Sequence, residues 1–362
     1  MKEIKRLLAL VLCFCMIFSL AACTSGSNEP APAETTEPET TEPETADNGL
    51  NGFPKQYFQG SIIWGAGGST DIICRGIAPY VEPLLGKSIV FTNRAGAAGG
   101  VAMEYVNSQP AEGYELLMTA DNPQVAKVLG ASSLDLDDFI PIDIFCESYG
   151  VLIVNAKSKY DTYDKLIEGL KTGNVTMAAT GVGGLASNLN AMIMSVEKDI
   201  KPVEVVYDGE GSMVTAVLAN QVDCGIVTIN SVTDYIQSGD IKCIAIFANE
   251  VIDMDSTRDL PLLSDCNPEY NNYLPWANFF GVCVKKGTPQ PIVDFLTDCF
   301  IKASTDPGYE ELLLSMGCNP LSLTGQEAID YIDHYKAVTS YLIYDSGYSD
   351  IDPASFGVER VN

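Results

Sequence analysis

The stretch Ile62–Asp71, I-I-W-G-A-G-G-S-T-D, indicates how the folded part of this chain is built. The apolar run Ile62–Trp64 is typical of a buried strand, and the glycines after it are typical of a tight turn. The residues from Asp71 to Leu85 then have helical periodicity. A strand, a glycine turn and a helix form the first half of a β-α-β unit.

The same pattern repeats along the chain, with a second predicted helix from Gly100 through Val106. Further strands are predicted at 89–91, 116–118, 151–154, 175–179, 203–206, 225–227 and 241–247. Alternating strands and helices predict the α/β class, with parallel-type sheets flanked by helices. More than 300 residues of this pattern indicate two domains.

Glycine-rich loops follow four of these strands, at residues 65–71, 93–100, 180–188 and 207–212. Ligands of open α/β sheets bind beyond the carboxyl ends of the strands, and helix amino termini favour anions. Any one such loop is more often a plain tight connection than a binding site. Four in one chain favour a shared binding cleft.

The amino terminus has the features of a targeting segment. Residues 1–22 carry early basic residues and then an apolar run, which predicts a signal peptide. The sequence Leu20-Ala21-Ala22-Cys23 resembles a bacterial lipobox, which implies cleavage before Cys23 and lipidation of its thiol, for example with palmitate. The alternative is an ordinary secretory signal. Residues 23–54 are rich in threonine, proline and glutamate, which predicts a disordered acidic tether.

Charge and composition exclude several function classes. The chain has 362 residues with 48 acids and 21 bases, a formal net charge of −27, and it offers no basic stripe for nucleic acid. Its one histidine, His334, leaves little material for a histidine metal site or a serine-histidine triad. An enzyme is the alternative class, because residues 181–186 fit G-x-G-x-x-A and Glu204 follows about 20 residues later. That motif alone is weak, so we expect no catalytic residues, no metal and no cofactor.

An ordered series of motifs resembles one known family. A-G-G-S-T-D at 66–71, N-R-A-G-A-A-G-G at 93–100 and Y-D-G-E-G-S at 207–212 are similar, in order and spacing, to the extracytoplasmic receptors of the tripartite tricarboxylate transporters. The resemblance continues through K-G-T-P-Q-P-I-V at 285–292 and covers roughly residues 54–335.

The resemblance implies a two-lobed, Venus-flytrap periplasmic-binding-protein fold of the type II kind. Lobe 1 would comprise residues 55–154 plus 276–362, and lobe 2 residues 155–275. Such a receptor is expected to be a monomer outside the membrane, held here by a lipid anchor. It would capture a small carboxylate and deliver it to the permease subunits of the transporter.

Family members hold a ligand carboxylate largely through main-chain donors of the first loop, and the opposing loops complete the site. Carried over to this chain, the lobe 1 residues are Gly67, Gly68, Ser69, Thr70, Asp71, Gly96, Ala97, Ala98, Gly99, Thr119 and Asn122. The lobe 2 residues are Gly183, Gly184, Ser187, Asn188, Tyr207, Gly209 and Asn230. Asp71 stands at a helix start, where it could cap the first turn or accept from waters that bind the ligand.

The resemblance leaves the ligand open. The 181–189 loop is one residue longer than is usual in the family, with Ser187-Asn188 where a histidine commonly stands. Tricarboxylates, dicarboxylates, acidic amino acids and aromatic acids all remain candidates. A receptor of the same fold for another importer or sensor, with a non-carboxylate ligand, is the alternative function.

Overall fold

The computed structural model describes residues 50–181, 183–274 and 276–360. The described residues belong to one compact unit. The predicted signal peptide, the lipidation site Cys23 and nearly all of the predicted tether lie outside the described residues. Within those that are described, no helix is both long and apolar enough to span a membrane.

Strands and helices alternate along the unit, as the sequence pattern predicts. The strands are β1 (Phe58–Ile62), β2 (Ile89–Asn93), β3 (Glu115–Ala120), β4 (Phe139–Asn155), β5 (Thr176–Ala179), β6 (Val203–Val206), β7 (Cys224–Thr228), β8 (Ile241–Ile246), β9 (Ala277–Lys285) and β10 (Cys318–Leu323). The helices are α1 (Ser69–Gly76), α2 (Ala78–Leu85), α3 (Gly100–Ser108), α4 (Tyr163–Lys171), α5 (Leu185–Val196), α6 (Glu210–Leu218), α7 (Thr233–Ser238), α8 (Leu263–Cys266), α9 (Gln290–Ser304), α10 (Pro307–Ser315) and α11 (Gly325–Asp345).

The α/β class is confirmed, but the sheet is mixed. Its strand order is β2-β1-β3-β9-β4-β7-β5-β6, and β8 and β10 also pair with β4. The outer strands pair in parallel, β1 with β2 and β3, and β5 with β6 and β7. The central strands β4 and β9 pair antiparallel with their neighbours. The parallel pattern expected from β-α-β units therefore holds only towards the two ends of the sheet.

The 17-residue strand β4 belongs to both halves of the sheet. Its first part, Phe139–Tyr149, pairs with β9, and its last part, Gly150–Asn155, pairs with β7 and β8. Buried side chains form two large hydrophobic cores, one around β1, β3 and β9, and the other around β5, β7 and β8. We call the parts packed around these cores the first lobe and the second lobe. The residue boundaries predicted for them stay predictions.

The first β-α unit departs from its predicted bounds. The strand expected at Ile62–Trp64 ends at Ile62, and the single helix expected over 71–85 is two helices separated at Ile77. Pro79 has no N–H to donate to the turn before it, which explains why the helix does not continue through this point. The break leaves α1 as a two-turn helix with its amino terminus at the glycine loop.

Candidate functional site

The first glycine loop is held in place by one carboxylate. Asp71 is 7% exposed, and its Oδ2 accepts a hydrogen bond from the Gly67 N–H at 3.0 Å. Its Oδ1 accepts from Asn93 Nδ2 at 2.9 Å and from Arg75 Nε at 2.7 Å. Burial works to raise the pKa of Asp71, but these donors outweigh it and hold the pKa below its usual value. Both oxygens of Asp71 therefore serve to fix the loop and the first turn of α1.

The backbone of the first glycine loop contacts the backbone of the fourth glycine loop, which precedes α6. Gly65 donates its N–H to the carbonyl of Asp208 at 3.2 Å. A Cβ added to Gly209 would lie 3.0 Å from the Gly65 nitrogen, and one added to Gly211 would lie 2.8 Å from the Ala66 oxygen. Residues without side chains at these two positions allow the lobes to approach this closely.

Asn122 makes a second contact between the lobes. Its Nδ2 donates to the carbonyl of Gly183 at 3.0 Å, and its Oδ1 accepts from the indole Nε1 of Trp64 at 2.9 Å. A Cβ added to Gly183 would lie 3.0 Å from the Cβ of Ala98, so the second and third glycine loops also touch. The four glycine loops predicted to share one cleft thus do come together.

A small cavity lies where these loops meet. It encloses about 20 Å³, counted as space for the centres of water-sized spheres, which is room for about one water molecule. It is lined by Trp64, Gly68, Ser69, Thr70, Asn122, Thr180, Leu185, Glu210 and Asn278.

Four of the predicted site residues line this cavity: Gly68, Ser69, Thr70 and Asn122. The remaining predicted residues stand outside its lining: Gly67, Asp71, Gly96, Ala97, Ala98, Gly99, Thr119, Gly183, Gly184, Ser187, Asn188, Tyr207, Gly209 and Asn230. Thr119, for example, is fully buried and donates its hydroxyl to the carbonyl of Ala120, and Tyr207 packs against the second core. A role for any of these residues in ligand binding stays a prediction.

Five lining residues were not predicted as site residues, and one of them, Trp64, stands at the end of the strand expected before the first loop. Thr180, Leu185 and Glu210 lie within glycine loops that were predicted to form the site. The loops were therefore predicted correctly, but these three residues within them were not named. Asn278 lies at the start of β9, and no local pattern marks it. It reaches the site because β9 pairs with β3 and β4, which are far away in sequence.

Glu210 and Asn278 contribute hydrogen-bond acceptors to the cavity lining. Glu210 is 8% exposed and accepts from the Thr228 N–H at 3.0 Å, from Thr228 Oγ1 at 2.7 Å and from Ser231 Oγ at 2.6 Å. Asn278 is 2% exposed, and its Oδ1 has no hydrogen-bond partner among the described residues. A buried acceptor of this kind costs free energy until a donor reaches it.

Asp121, the residue before Asn122, is a buried acid. It is fully buried, and neither carboxylate oxygen has a side-chain hydrogen-bond partner among the described residues. Burial raises its pKa well above the usual value, and the nearby charge of Glu210 adds to the rise, while the backbone N–H groups of Asp121 and Asn122 oppose it. The sequence alone does not distinguish this residue from an ordinary loop aspartate.

Known proteins resemble this chain over most of its length. The model of the tripartite tricarboxylate transporter family receptor matches residues 73–347. This chain belongs to that receptor family. It is 27% identical to protein BugT of Bordetella pertussis over 291 residues, which cover 77% of this chain and 86% of BugT.

Solved structures show the same receptor fold. The periplasmic binding protein BugD matches with a TM-score of 0.76 at 22% identity, over 82% of this chain and 99% of BugD. MatC of Rhodopseudomonas palustris with bound malate matches with a TM-score of 0.72 at 19% identity, over 80% and 100% of the two chains. A protein of R. palustris with adipate matches with a TM-score of 0.73 at 20% identity, over 82% and 98%. The fold is therefore that of two-lobed periplasmic binding proteins, and the family places the receptor outside the cytoplasm.

The family is one of solute-binding receptors, which agrees with the expectation that the chain is not an enzyme. Across residues 50–181, 183–274 and 276–360, no group of three or more histidine, cysteine, aspartate or glutamate side chains is placed to hold a metal ion. All eight cysteines in those segments are free thiols, and seven of them are buried.

Proposed function

We propose that this receptor captures a small carboxylate at the first turn of α1 and delivers it to a tripartite membrane permease. The observation that carries the proposal is the position of Ser69 and Thr70, which open α1 and line the cavity. The first N–H groups of a helix lack partners within the helix and favour an anion. Asp71, the acid in the first turn of α1, is already bound by three donors of its own lobe.

Hydrogen-bond donors near α1 can supply enough free energy to bind a carboxylate. A hydrogen bond to a charged group contributes about 1.5–3 kcal/mol. Four or five of them, less the cost of ordering the ligand, would leave the roughly 8 kcal/mol of a micromolar complex. Long-range attraction cannot contribute, because the folded body carries about −22 charges and repels an anion. Recognition then depends on local neutral donors.

Two proteins with this fold were solved with malate and with adipate, both of which are dicarboxylates. This supports a small carboxylate as the ligand class for the present chain. The 20 Å³ cavity cannot hold such a molecule, so binding requires the contacts between the lobes to open first. Opening would separate Gly65 from Asp208 and Asn122 from Gly183, while each core stays intact.

The location of the receptor is the second part of the proposal. Lipidation of Cys23 would anchor the body to the outer face of the membrane through the acidic tether. The anchor would keep the receptor close to the permease that accepts its ligand.

A thermal-shift screen of the full-length chain tests the carboxylate proposal. The probes are succinate, citrate, L-glutamate and benzoate, with glucose as the neutral control. A ligand that binds only the folded state raises Tm, so we expect at least one carboxylate to raise it and glucose to leave it unchanged. A rise with glucose alone, or no rise with any carboxylate, would overturn the proposal.

A matched pair of variants then ties binding to the cavity. Thr70→Val keeps the shape of a buried lining residue and removes its hydroxyl. Thr305→Val makes the same change on an exposed threonine at the end of α9. We expect Thr70→Val to weaken carboxylate binding about tenfold, as loss of one charged hydrogen bond should, and Thr305→Val to leave it unchanged. Equal affinities for both variants would remove Thr70 from the site.

A further inference from the structure

Residues 348–360 form a tail that follows α11. The tail lies beyond the family match, which ends at residue 347. It leaves the helix at Tyr348, whose N–H donates to the carbonyl of Ile343 at 3.0 Å and turns the chain. The tail is thus a feature of this chain that the match to the receptor family does not cover.

Tyr348 attaches the start of the tail to the second lobe. Its hydroxyl donates to Glu204 Oε1 in β6 and accepts from Asn190 Nδ2 in α5 at 3.2 Å. Asn190 is 1% exposed and donates to the same Glu204 oxygen at 2.6 Å. Burial and the charge of Glu204 raise the pKa of Tyr348 above its usual value, so the hydroxyl keeps its proton and donates.

Three residues later, the tail reaches the first lobe. A Cβ added to Gly130 would lie 3.5 Å from Cδ1 of Ile351, so the two residues are neighbours. Gly130 stands in a loop between Ala126 and Leu134, which both pack with the first core. Three extended residues span at most about 10 Å. The lobes therefore cannot separate far at this point while Tyr348 and Ile351 both keep their contacts.

The end of the tail is fixed on the same side. Val358 is 8% exposed and packs with Val128, from the loop that holds Gly130, in a small third core. Its carbonyl accepts from the hydroxyl of Tyr341 in α11 at 2.9 Å. Two further hydrogen bonds, of 2.7 and 3.0 Å, join the guanidinium of Arg360 to the carboxylate of Asp345. These contacts keep the tail from sliding when the lobes pull on it.

We propose that the tail is a strap that holds the two lobes closed, and that Tyr348 releases Glu204 and Asn190 when they open. None of these three residues lines the cavity between the lobes. The tail therefore stabilises the closed state equally with and without ligand. Since the closed cavity has room for about one water molecule, a ligand enters and leaves only through the open state. The tail should then slow both steps and change Kd little.

Hydrogen exchange without any ligand tests the strap on the full-length chain. The Gly65 N–H donates to the carbonyl of Asp208 in the other lobe, so its exchange reports opening. The Phe58 N–H donates to the carbonyl of Ser88 within the first lobe and reports unfolding instead. Tyr348→Phe keeps the ring and removes the hydroxyl. We expect Gly65 to exchange about tenfold faster in this variant, as loss of one charged hydrogen bond should allow, and Phe58 to exchange as in the parent.

Tyr344→Phe is the matched control, because Tyr344 is an exposed tyrosine of α11. Its exchange at Gly65 should equal that of the parent. Unchanged exchange at Gly65 in Tyr348→Phe would overturn the strap. So would an equal acceleration at Phe58, which would indicate a general loss of stability.

Binding kinetics test the consequence for capture, and this step rests on the proposed function. Stopped-flow mixing uses the carboxylate that raises Tm in the thermal-shift screen, chosen from succinate, citrate, L-glutamate and benzoate. In Tyr348→Phe, the association and dissociation rate constants should both rise about tenfold, while Kd changes less than about threefold. A changed Kd with an unchanged association rate would contradict the strap. If no carboxylate binds the parent, the proposed function is wrong, and the exchange at Gly65 decides the strap by itself.

Discussion

The side-chain amide of Asn122 bonds to the carbonyl of Gly183 across the cleft, 3.0 Å away, while its oxygen accepts from the indole of Trp64. Asn122 is 2% exposed, so neither bond competes with bulk water. Loss of this amide leaves the indole N–H and the Gly183 carbonyl without these partners. One residue thus links the conformation of the first lobe to the position of the third glycine loop.

We therefore expect Asn122→Ala to lower the free energy of unfolding by about 1–3 kcal/mol, the cost of leaving buried polar groups unpaired. Because the bond to Gly183 exists only when the loops touch, the variant should also be more open. Urea unfolding measures the first effect, and the radius of gyration from small-angle scattering measures the second. Asn174→Ala is the control, because Asn174 is exposed and bonds only within its own turn. A variant as stable and as compact as the parent would contradict this account.

Gly211 provides a test of lobe closure. A Cβ at this position would lie 2.8 Å from the Ala66 oxygen and 2.9 Å from the Gly67 carbonyl carbon, both of them backbone atoms of the opposite loop. Gly211→Ala should therefore obstruct closure and weaken ligand binding by at least about tenfold, with both cores intact. Calorimetry measures the binding, and near-UV circular dichroism reports the packing of the cores.

Gly225→Ala is the matched control for closure. Gly225 lies in β7, where a Cβ would make ordinary contacts of 3.4 and 3.5 Å with Ala178 and Val217. It should bind ligand like the parent. If Gly211→Ala also binds like the parent, the approach of these two loops has no part in ligand capture.

Local features of the sequence were enough to predict the first loop. Gly68, Ser69 and Thr70 line the cavity. They could be predicted because a glycine turn that leads into a helix can be recognised within ten residues. The break at Ile77 was missed, since helical periodicity continues across it and only Pro79 marks it. The predicted strand at 151–154 begins in fact at Phe139, because Pro141, Asp143 and two register shifts hide the alternation.

Long-range pairing explains the residues that sequence reasoning missed. Asn278 enters the site because β9 lies between β3 and β4, and no signal near residue 278 predicts that pairing. The buried state of Asp121 is likewise set by the fold around it, since an aspartate after a strand is typical of an exposed turn. The surroundings of both residues are therefore visible only in the structure.

The proposed anchor depends on a single thiol. Cys23→Ser removes the atom that lipidation requires, and the release of a lipid anchor should move the protein from the membrane fraction to the soluble fraction. Fractionation followed by immunoblotting measures this distribution. Cys266→Ser is the control, because Cys266 is a half-buried free thiol of the folded body and should leave the distribution unchanged. A Cys23→Ser protein that stays with the membranes would disprove the anchor.

Asp143 should make the stability of the receptor fall as pH rises. Burial raises its pKa to about 7, although the Ser304 hydroxyl opposes part of the rise, and Tyr309 also faces it. An acid whose pKa is higher in the folded state than in the unfolded state contributes to folding stability, and this contribution is complete below the unfolded pKa of about 4. It is lost as the pH rises from there to the folded pKa of about 7. The loss approaches about 1.4 kcal/mol per pH unit. Urea unfolding between pH 5 and 8 should show that Asp143→Asn flattens this decline, and an unchanged slope would contradict the assignment.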